Sequence, residues 1–188
     1  LSLRRQRQMC IRDSPNILSF DLGGTTAKGA LVRDYKPLKS EQMEVDRVNE
    51  ARKGSGFPLR IPVLDMIEIG SGGGSIAGID DRGLLKVGPR SAGANPGPAC
   101  YGKNGENAAL TDANLMLGYL DPNFFLGGEM KLDKRASEVA IEKNVGLPLN
   151  LSTIRTSWGI HDSASEDIAR AFRIHAAERG FDYRNATM

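Results

Sequence analysis

Apolar and polar positions divide the chain into a front half patterned for strands and a back half patterned for helices. Residues 16–20 (NILSF) are a short apolar run ending in Asp21, and after LGGTT the segment AKGALV alternates. This predicts strand, glycine turn and strand, a β-hairpin with an acid at its tip. Residues 34–60 are polar, charged and broken by Gly54 and Gly56, which suits edge strands or loop. Residues 61–69 (IPVLDMIEI) are rich in β-branched positions and read as a short buried strand. A second hairpin is expected around Asp80–Gly83, leading into LLKVGP. Residues 88–105 are rich in Gly and Pro yet include Ala-Cys-Tyr, so they read as an ordered irregular loop.

Three helices are predicted behind this loop. The first opens at Thr111 as N-cap, with Asp112 in its first turn and Leu115, Met116 and Tyr119 along it. The second opens at Asp133, packs Ala136, Val139, Ala140 and Val145, and ends near Gly146. The third spans about residues 163–179, with Ile168, Phe172, His175 and Ala176 on one face and Gly180 just past its end.

Composition narrows the chemistry. The 188 residues include 22 glycines, well above the usual ~7%, with an ordinary 9 prolines, so low-complexity disorder does not explain the excess. A net charge of +2 gives no strong attraction to nucleic acid or a membrane surface. No apolar run reaches the ~18 residues of a membrane span. Cys10 and Cys100 are too few for a disulfide scaffold and lack metal-ligand spacing, and His161 and His175 exclude a site of several histidines. The expectation is a soluble, cytoplasmic, glycine-rich α/β protein.

Asp21-Leu-Gly-Gly-Thr-Thr carries the most chemistry. Gly23 and Gly24 let a backbone approach an anion and donate N–H groups to it, and Thr25 and Thr26 add hydroxyls. Asp21 suits a magnesium ion, usually through water. Lys28 either offers a charge to phosphate or, on an alternating strand, faces solvent. In GSGGGS, residues 70–75, Gly72, Gly73, Gly74 and Ser75 either wrap an anion or permit close backbone packing. Neither segment has Walker or GxGxxG spacing. Elsewhere the bland reading leads. Asp112 and Asn114 suit a helix cap more than a ligand, and Cys100 suits a small buried residue. His161 beside Asp162 suits a surface or capping role, and His175 a satisfied core histidine. Glu68 stands as a minor candidate.

The DLGGTT turn resembles the phosphate-binding hairpin of actin-like ATPases. SFDLGGTTAKGALV, GSGFPLRIPVLDMIEIGSGGGSIAGID, GLLKVGPRSAGANPGPACYG, TDANLMLGYLDPNFFLGG and ARAFRIHAAERGFD, in this order, resemble the hydantoinase A / 5-oxoprolinase family across residues 16–188. That family includes subunits of acetone and acetophenone carboxylases. The resemblance implies an α/β fold, the second half of an actin-like (ribonuclease H-like) ATPase with a mixed sheet and helices, truncated at both ends. The family's first phosphate hairpin would lie upstream, and an AFGGAGP-like segment would lie beyond Met188.

The implied activity is ATP- and Mg2+-dependent phosphorylation of a carbonyl oxygen. The enzyme would be a hydrolase of cyclic amides, of the hydantoin or 5-oxoproline type, or the related ketone carboxylase subunit. A small-molecule cyclic amide or ketone and a hydantoinase B-like subunit or domain are the implied partners, without nucleic acid or membrane. Asp21 is the expected catalytic and metal residue, with Gly23, Gly24, Thr25, Thr26, Lys28, Gly72, Gly73, Gly74 and Ser75 binding the cofactor. DMIEIG puts Ile67 where many hydantoinase-like members carry histidine in a DIHTVG-type run, which leans toward the carboxylases. A nucleotide-binding scaffold module without chemistry is the competing class, although SAGANPGPACYG is foreign to it. Residues 1–14 hold Arg4, Arg5, Arg7 and Arg12 against Asp13. They resemble translated sequencing-adapter sequence, so the native chain is expected to start near Pro15.

Overall fold

The computed structural model describes residues 14–45, 54 and 56–188. Expectations for residues 1–13, including Cys10 and nearly all of the adapter-like stretch, and for 46–53 and 55 lie outside the described residues. The chain forms two compact units. One comprises Leu1–Phe20, Lys28–Ile67 and Phe172–Met188, and the other Asp21–Ala27 and Glu68–Ala171.

The first unit is built on β1 (Ile17–Leu22) and β2 (Ala27–Arg33), the predicted hairpin, in a sheet of order β1-β2-β3 with β8 also paired to β2. β3 is Lys36–Pro37 and β8 is Met66–Ile69. Asp34 and Tyr35 link β2 to β3 with φ of 51° and 62°, the two positive values that a tight right-twisted hairpin requires. Short antiparallel ribbons follow, β4 (Lys39–Ser40) with β7 (Val63–Leu64) and β5 (Met43–Val45) with β6 (Phe57–Leu59). The buried strand expected over residues 61–69 is instead the two short strands β7 and β8. Their side chains alternate between half-buried and exposed, because each ribbon has one open face.

Phe172 explains a glycine in this unit. A Cβ on Gly29 would lie 1.9 Å from the Phe172 ring, so only glycine lets the ring sit on β2, and Phe20 meets it edge-on at 5.5 Å. The long helix ends as expected. Gly180 has φ +56°, and Phe181 N–H reaches back to the Ala176 carbonyl. Arg33 Nη2 donates to the Arg179 and Gly180 carbonyls, placing a cation on the negative end of the helix. Arg179 forms a two-pronged ion pair with Asp65, whose second contact measures 2.6 Å. His175 is buried as predicted, but its Nε2 has no hydrogen-bond partner among the described residues, which leave that nitrogen unsatisfied.

The second unit holds the larger core. β9 (Ser75–Ile79) and β10 (Leu85–Ser91) form the expected hairpin, closed by Asp80, whose carboxylate accepts from the Arg82 and Leu84 amides. The amides and Arg82 hold that carboxyl below its usual range, with Leu84 the largest cause. Helices α1 (Leu110–Met116), α2 (Lys134–Ile141) and α3 (Thr153–Glu178, its last turns in the first unit) complete the order. Ala77, Val87, Leu110, Ile141, Val145 and Ile160 share one apolar cluster, and Cys100, Leu115 and Leu132 a second.

The helix boundaries differ from expectation for local reasons. Thr111 is not the N-cap of α1, because Ala109 holds that position and Thr111 lies two residues inside. Asp133 caps α2 as predicted, accepting from Arg135 and Ala136 amides. Val139 on α2 is 47% exposed rather than core. The helix does not stop near Gly146 but passes through a wider turn, Glu142–Gly146, to Leu149, and Asn150 at φ +53° ends it. α3 begins ten residues earlier than predicted. Its first turns are rich in Ser and Thr, and Thr156 and Ser157 return their hydroxyl protons to carbonyls of the preceding turn.

Candidate functional site

The Gly-Gly-Thr turn of the first hairpin lies wholly in the second unit, with GSGGGS and the start of SAGANPGPACYG. Gly23 N–H donates to the Thr26 carbonyl at 2.9 Å and closes the turn. The carbonyls of Gly23 and Gly24 accept from the N–H groups of Gly73 and Gly74 at 3.0 and 2.6 Å. Two glycine-rich segments far apart in sequence therefore lie backbone against backbone. A Cβ on Gly72 would come within 2.7 Å of the Gly23 oxygen and of the Thr25 nitrogen and carbonyl carbon. That proximity, rather than a left-handed conformation, demands glycine here.

This geometry corrects the expected role of the second segment. Gly72 N–H donates to Ser75 Oγ at 2.9 Å, Gly73 and Gly74 donate to the hairpin, and Ser75 N–H donates to the Gly72 carbonyl. All four amides have protein acceptors, and Gly72, Gly74 and Ser75 are buried. None of these N–H groups faces an incoming anion. The loop instead backs the hairpin and passes its order on to α1, since the Gly73 carbonyl accepts both Thr111 N–H (2.8 Å) and Thr111 Oγ (2.7 Å). It thereby serves one of the unpaired amides at a helix start.

The first segment leaves two of its donors unengaged among the described residues. Gly23, Gly24 and Thr25 are exposed, and the N–H groups of Gly24 and Thr25 have no acceptor among the described residues. A Cβ on Gly24 would meet nothing within 4 Å, so the space beside it is open. Asp21 is exposed at the end of β1, and no hydrogen bond or ion pair among the described residues engages its carboxylate. Thr26 is half-buried and turns its carbonyl inward. Lys28 is half-buried on β2, on the face opposite Ala27 and Gly29, and belongs to the first unit.

One neighbour of this turn was not marked by the sequence. Ser91 Oγ lies 3.5 Å from Thr25 Oγ1 and accepts from Gly93 N–H at 3.1 Å. Ala92 N–H donates to the Gly74 carbonyl, which docks the loop here. No local signal marked Ser91, because the hairpin register alone would set Pro89 opposite Ser75, and a shift between Val87 and Ser91 brings Ser91 there instead. Ser71 Oγ, at the start of the glycine loop, is buried without a partner.

The other sequence candidates resolve into structure. Asp112 is fully buried and its two oxygens accept four bonds, from the Ala99, Cys100 and Ala109 amides and from Ser137 Oγ, at 2.7 to 3.2 Å. It joins the SAGANPGPACYG loop to α1 and α2. Cys100 is fully buried, and desolvation, with Asp112 beside it, pushes its thiol far above the ordinary range, the opposite of a reactive cysteine. His161 pairs with Asn114 (Nδ1 to Oδ1, 2.9 Å), not with Asp162, and lies against Tyr119 and Trp158 at ring separations of 5.0 and 5.8 Å. Glu68 is exposed on β8, and Ile67 is half-buried beside it. Among the described residues no group of three or more His, Cys, Asp or Glu could hold a metal, and no helix is long and apolar enough to cross a membrane.

The α/β fold matches a portion of larger proteins of known structure. It superposes on the crystal structure of ATP-dependent caprolactamase from Pseudomonas jessenii with a TM-score of 0.78 at 35% identity, covering 96% of this chain and 25% of that one. The family model described as hydantoinase/oxoprolinase matches residues 6–188, and the chain belongs to that family. In sequence it is 38% identical to the caprolactamase subunit alpha of the same species, over 90% of this chain and 23% of the relative. It is 36% identical to the acetophenone carboxylase gamma subunit of Aromatoleum aromaticum, over 88% of this chain and 22% of the relative. The chain thus spans about a quarter of the length of the curated relatives it matches.

Proposed function

We propose that this chain contributes the phosphate-handling turn of an ATP-dependent enzyme that activates a carbonyl oxygen by phosphorylating it. The observation that carries the proposal is the exposed turn at Gly24-Thr25. Two backbone donors, a hydroxyl and the Asp21 carboxylate at the end of β1 have no strong partner among the described residues. An amide or enolate oxygen is a poor leaving group and phosphate a good one, so phosphorylation opens a cyclic amide to water or a ketone enol to carboxylation. Such transfer needs positioning and donors aimed at phosphoryl oxygens, which the turn supplies. The single carboxylate fits magnesium, which takes one or two protein carboxylates and completes its shell with water and phosphate. Asp21 would hold that ion, Gly24, Thr25 and Thr26 the phosphates, and Gly72–Ser75 the shape of the turn.

A cyclic-amide hydrolase of the hydantoin, 5-oxoproline or lactam type is the leading reading, with the ketone carboxylases the related chemistry. A hydantoinase B-like subunit or domain would complete it in the cytoplasm. The test is ATP turnover by the full-length subunit bearing this chain, assayed with 5-oxoproline, a hydantoin and a ketone plus bicarbonate. One of these should stimulate turnover, and Asp21→Ala should reduce Mg-ATP affinity by at least tenfold without lowering the melting temperature. Unchanged Mg-ATP affinity in Asp21→Ala would refute the assignment of the turn.

A further inference from the structure

We infer that Ser91 is a second hydroxyl of the phosphate site, acting with Thr25 as a paired donor to one phosphoryl oxygen; this rests on the proposed function above. Ser91 stands at the end of β10, held there by its register opposite Ser75 and by the Ala92 amide on the Gly74 carbonyl. Gly74 is what lets it approach. A Cβ at Gly74 would lie 2.8 Å from Ser91 Oγ and 3.0 Å from the Gly24 carbonyl, so any side chain there would part Ser91 from the hairpin.

Counting protons gives the chemistry. Ser91 Oγ accepts from Gly93 N–H, and its 3.5 Å contact with Thr25 Oγ1 uses at most one of the two hydroxyl protons. The other proton therefore has no acceptor in the pair. It is available at an exposed edge that also carries the free Gly24 and Thr25 amides. Two amides and a hydroxyl proton left unengaged among the described residues suit a multiply charged oxyanion, and charge-assisted bonds to such a group are the stronger kind. The glycine loop, with its amides engaged, acts through Ser91 rather than on the ligand.

The experiment compares Ser91→Ala, Ser91→Thr and Asp21→Ala in the full-length subunit, measuring ATP, ADP and AMP affinity in magnesium by calorimetry alongside melting temperature. Ser91→Ala should weaken ATP binding about tenfold, the size of one charge-assisted bond. Its effect on AMP should be much smaller, and its melting temperature should stay near the parent's. Ser91→Thr, which keeps the hydroxyl, should restore most of the affinity. Equal losses for Ala and Thr, or equal losses for ATP and AMP, would mean that Ser91 only shapes the loop and would overturn the inference. Full ATP affinity in Ser91→Ala with weakened binding in Asp21→Ala would overturn it while leaving the proposed function standing. Full affinity in both would remove the proposed function as well.

Discussion

Replacing Asp112 isolates a buried polar junction whose energetics follow from its partners. Oδ1 accepts from Cys100 N–H at 2.8 Å and Ser137 Oγ at 2.7 Å, and Oδ2 from Ala109 N–H at 2.9 Å and Ala99 N–H at 3.2 Å. Asp112→Ala leaves three backbone N–H groups without an acceptor in a site closed to water. Each such orphan costs about 1–3 kcal/mol, so a loss of about 3–5 kcal/mol is expected after partial relaxation. Asp112→Asn is nearly isosteric. Turned so that its carbonyl serves Ala99 and Ala109, it sets its NH2 against Cys100 N–H, while the Ser137 hydroxyl rotates to accept. The opposite orientation would oppose two amides and is worse. One opposed donor and the lost charge imply about 1–3 kcal/mol. Urea unfolding followed by the fluorescence of Trp158, the single tryptophan, reads the unit that contains Asp112. The expected stability order is parent, Asn, Ala, with constant slope m. A loss under about 1 kcal/mol for Asp112→Ala would refute the claim that this carboxylate bears the junction, as would an Asn variant no better than Ala.

Three further outcomes follow from the structure. Gly72→Ala should destabilise by about 1–3 kcal/mol and weaken Mg-ATP binding by the full-length subunit, because its methyl meets backbone that cannot step aside. Gly24→Ala, whose methyl meets nothing, should leave stability within about 0.5 kcal/mol while still reducing affinity; a melting curve and a titration on each variant check both halves. His175 should make stability pH-dependent. Burial first, and Arg179 second, hold its pKa below the ordinary ~6.5. The unfolded chain then binds more protons just below that value, so stability falls as pH drops from about 6.5 toward the lowered pKa and is unaffected above it. Urea midpoints between pH 7 and 5 should decline less in His175→Gln than in the parent, and identical slopes would rule His175 out as the cause.

Much of the candidate site was legible because its signals are local. A strand ending in Asp21 followed by Gly-Gly-Thr-Thr specifies a hairpin turn from neighbouring residues alone, and the turn is where it was expected. The Gly180 stop of α3 and the Asp133 cap of α2 are equally local. The same logic misled where a residue's partner is distant. Val139 falls on an apolar stripe, yet it stays 47% exposed. Residues 153–157 fall outside the predicted helix because Ser and Thr are weak helix formers, yet the hydroxyls of Thr156 and Ser157 bond back into α3.

The residues of one segment decide its turns, caps and which groups are able to meet an anion, since these depend on conformations a few residues long. Which groups remain free to do so depends on what folds beside them. DLGGTT and GSGGGS both offer glycine amides to an anion in the sequence, although GSGGGS equally suits close backbone packing. Folding engages the Gly72–Ser75 amides and leaves those of Gly24 and Thr25 open. Asp112 was a plain helix-start acid until two other segments converged on it, and Ser91 was one polar residue in a loop until Gly74 admitted it to the hairpin. A buried amide must find an acceptor wherever the chain supplies one, and that acceptor is rarely near in sequence.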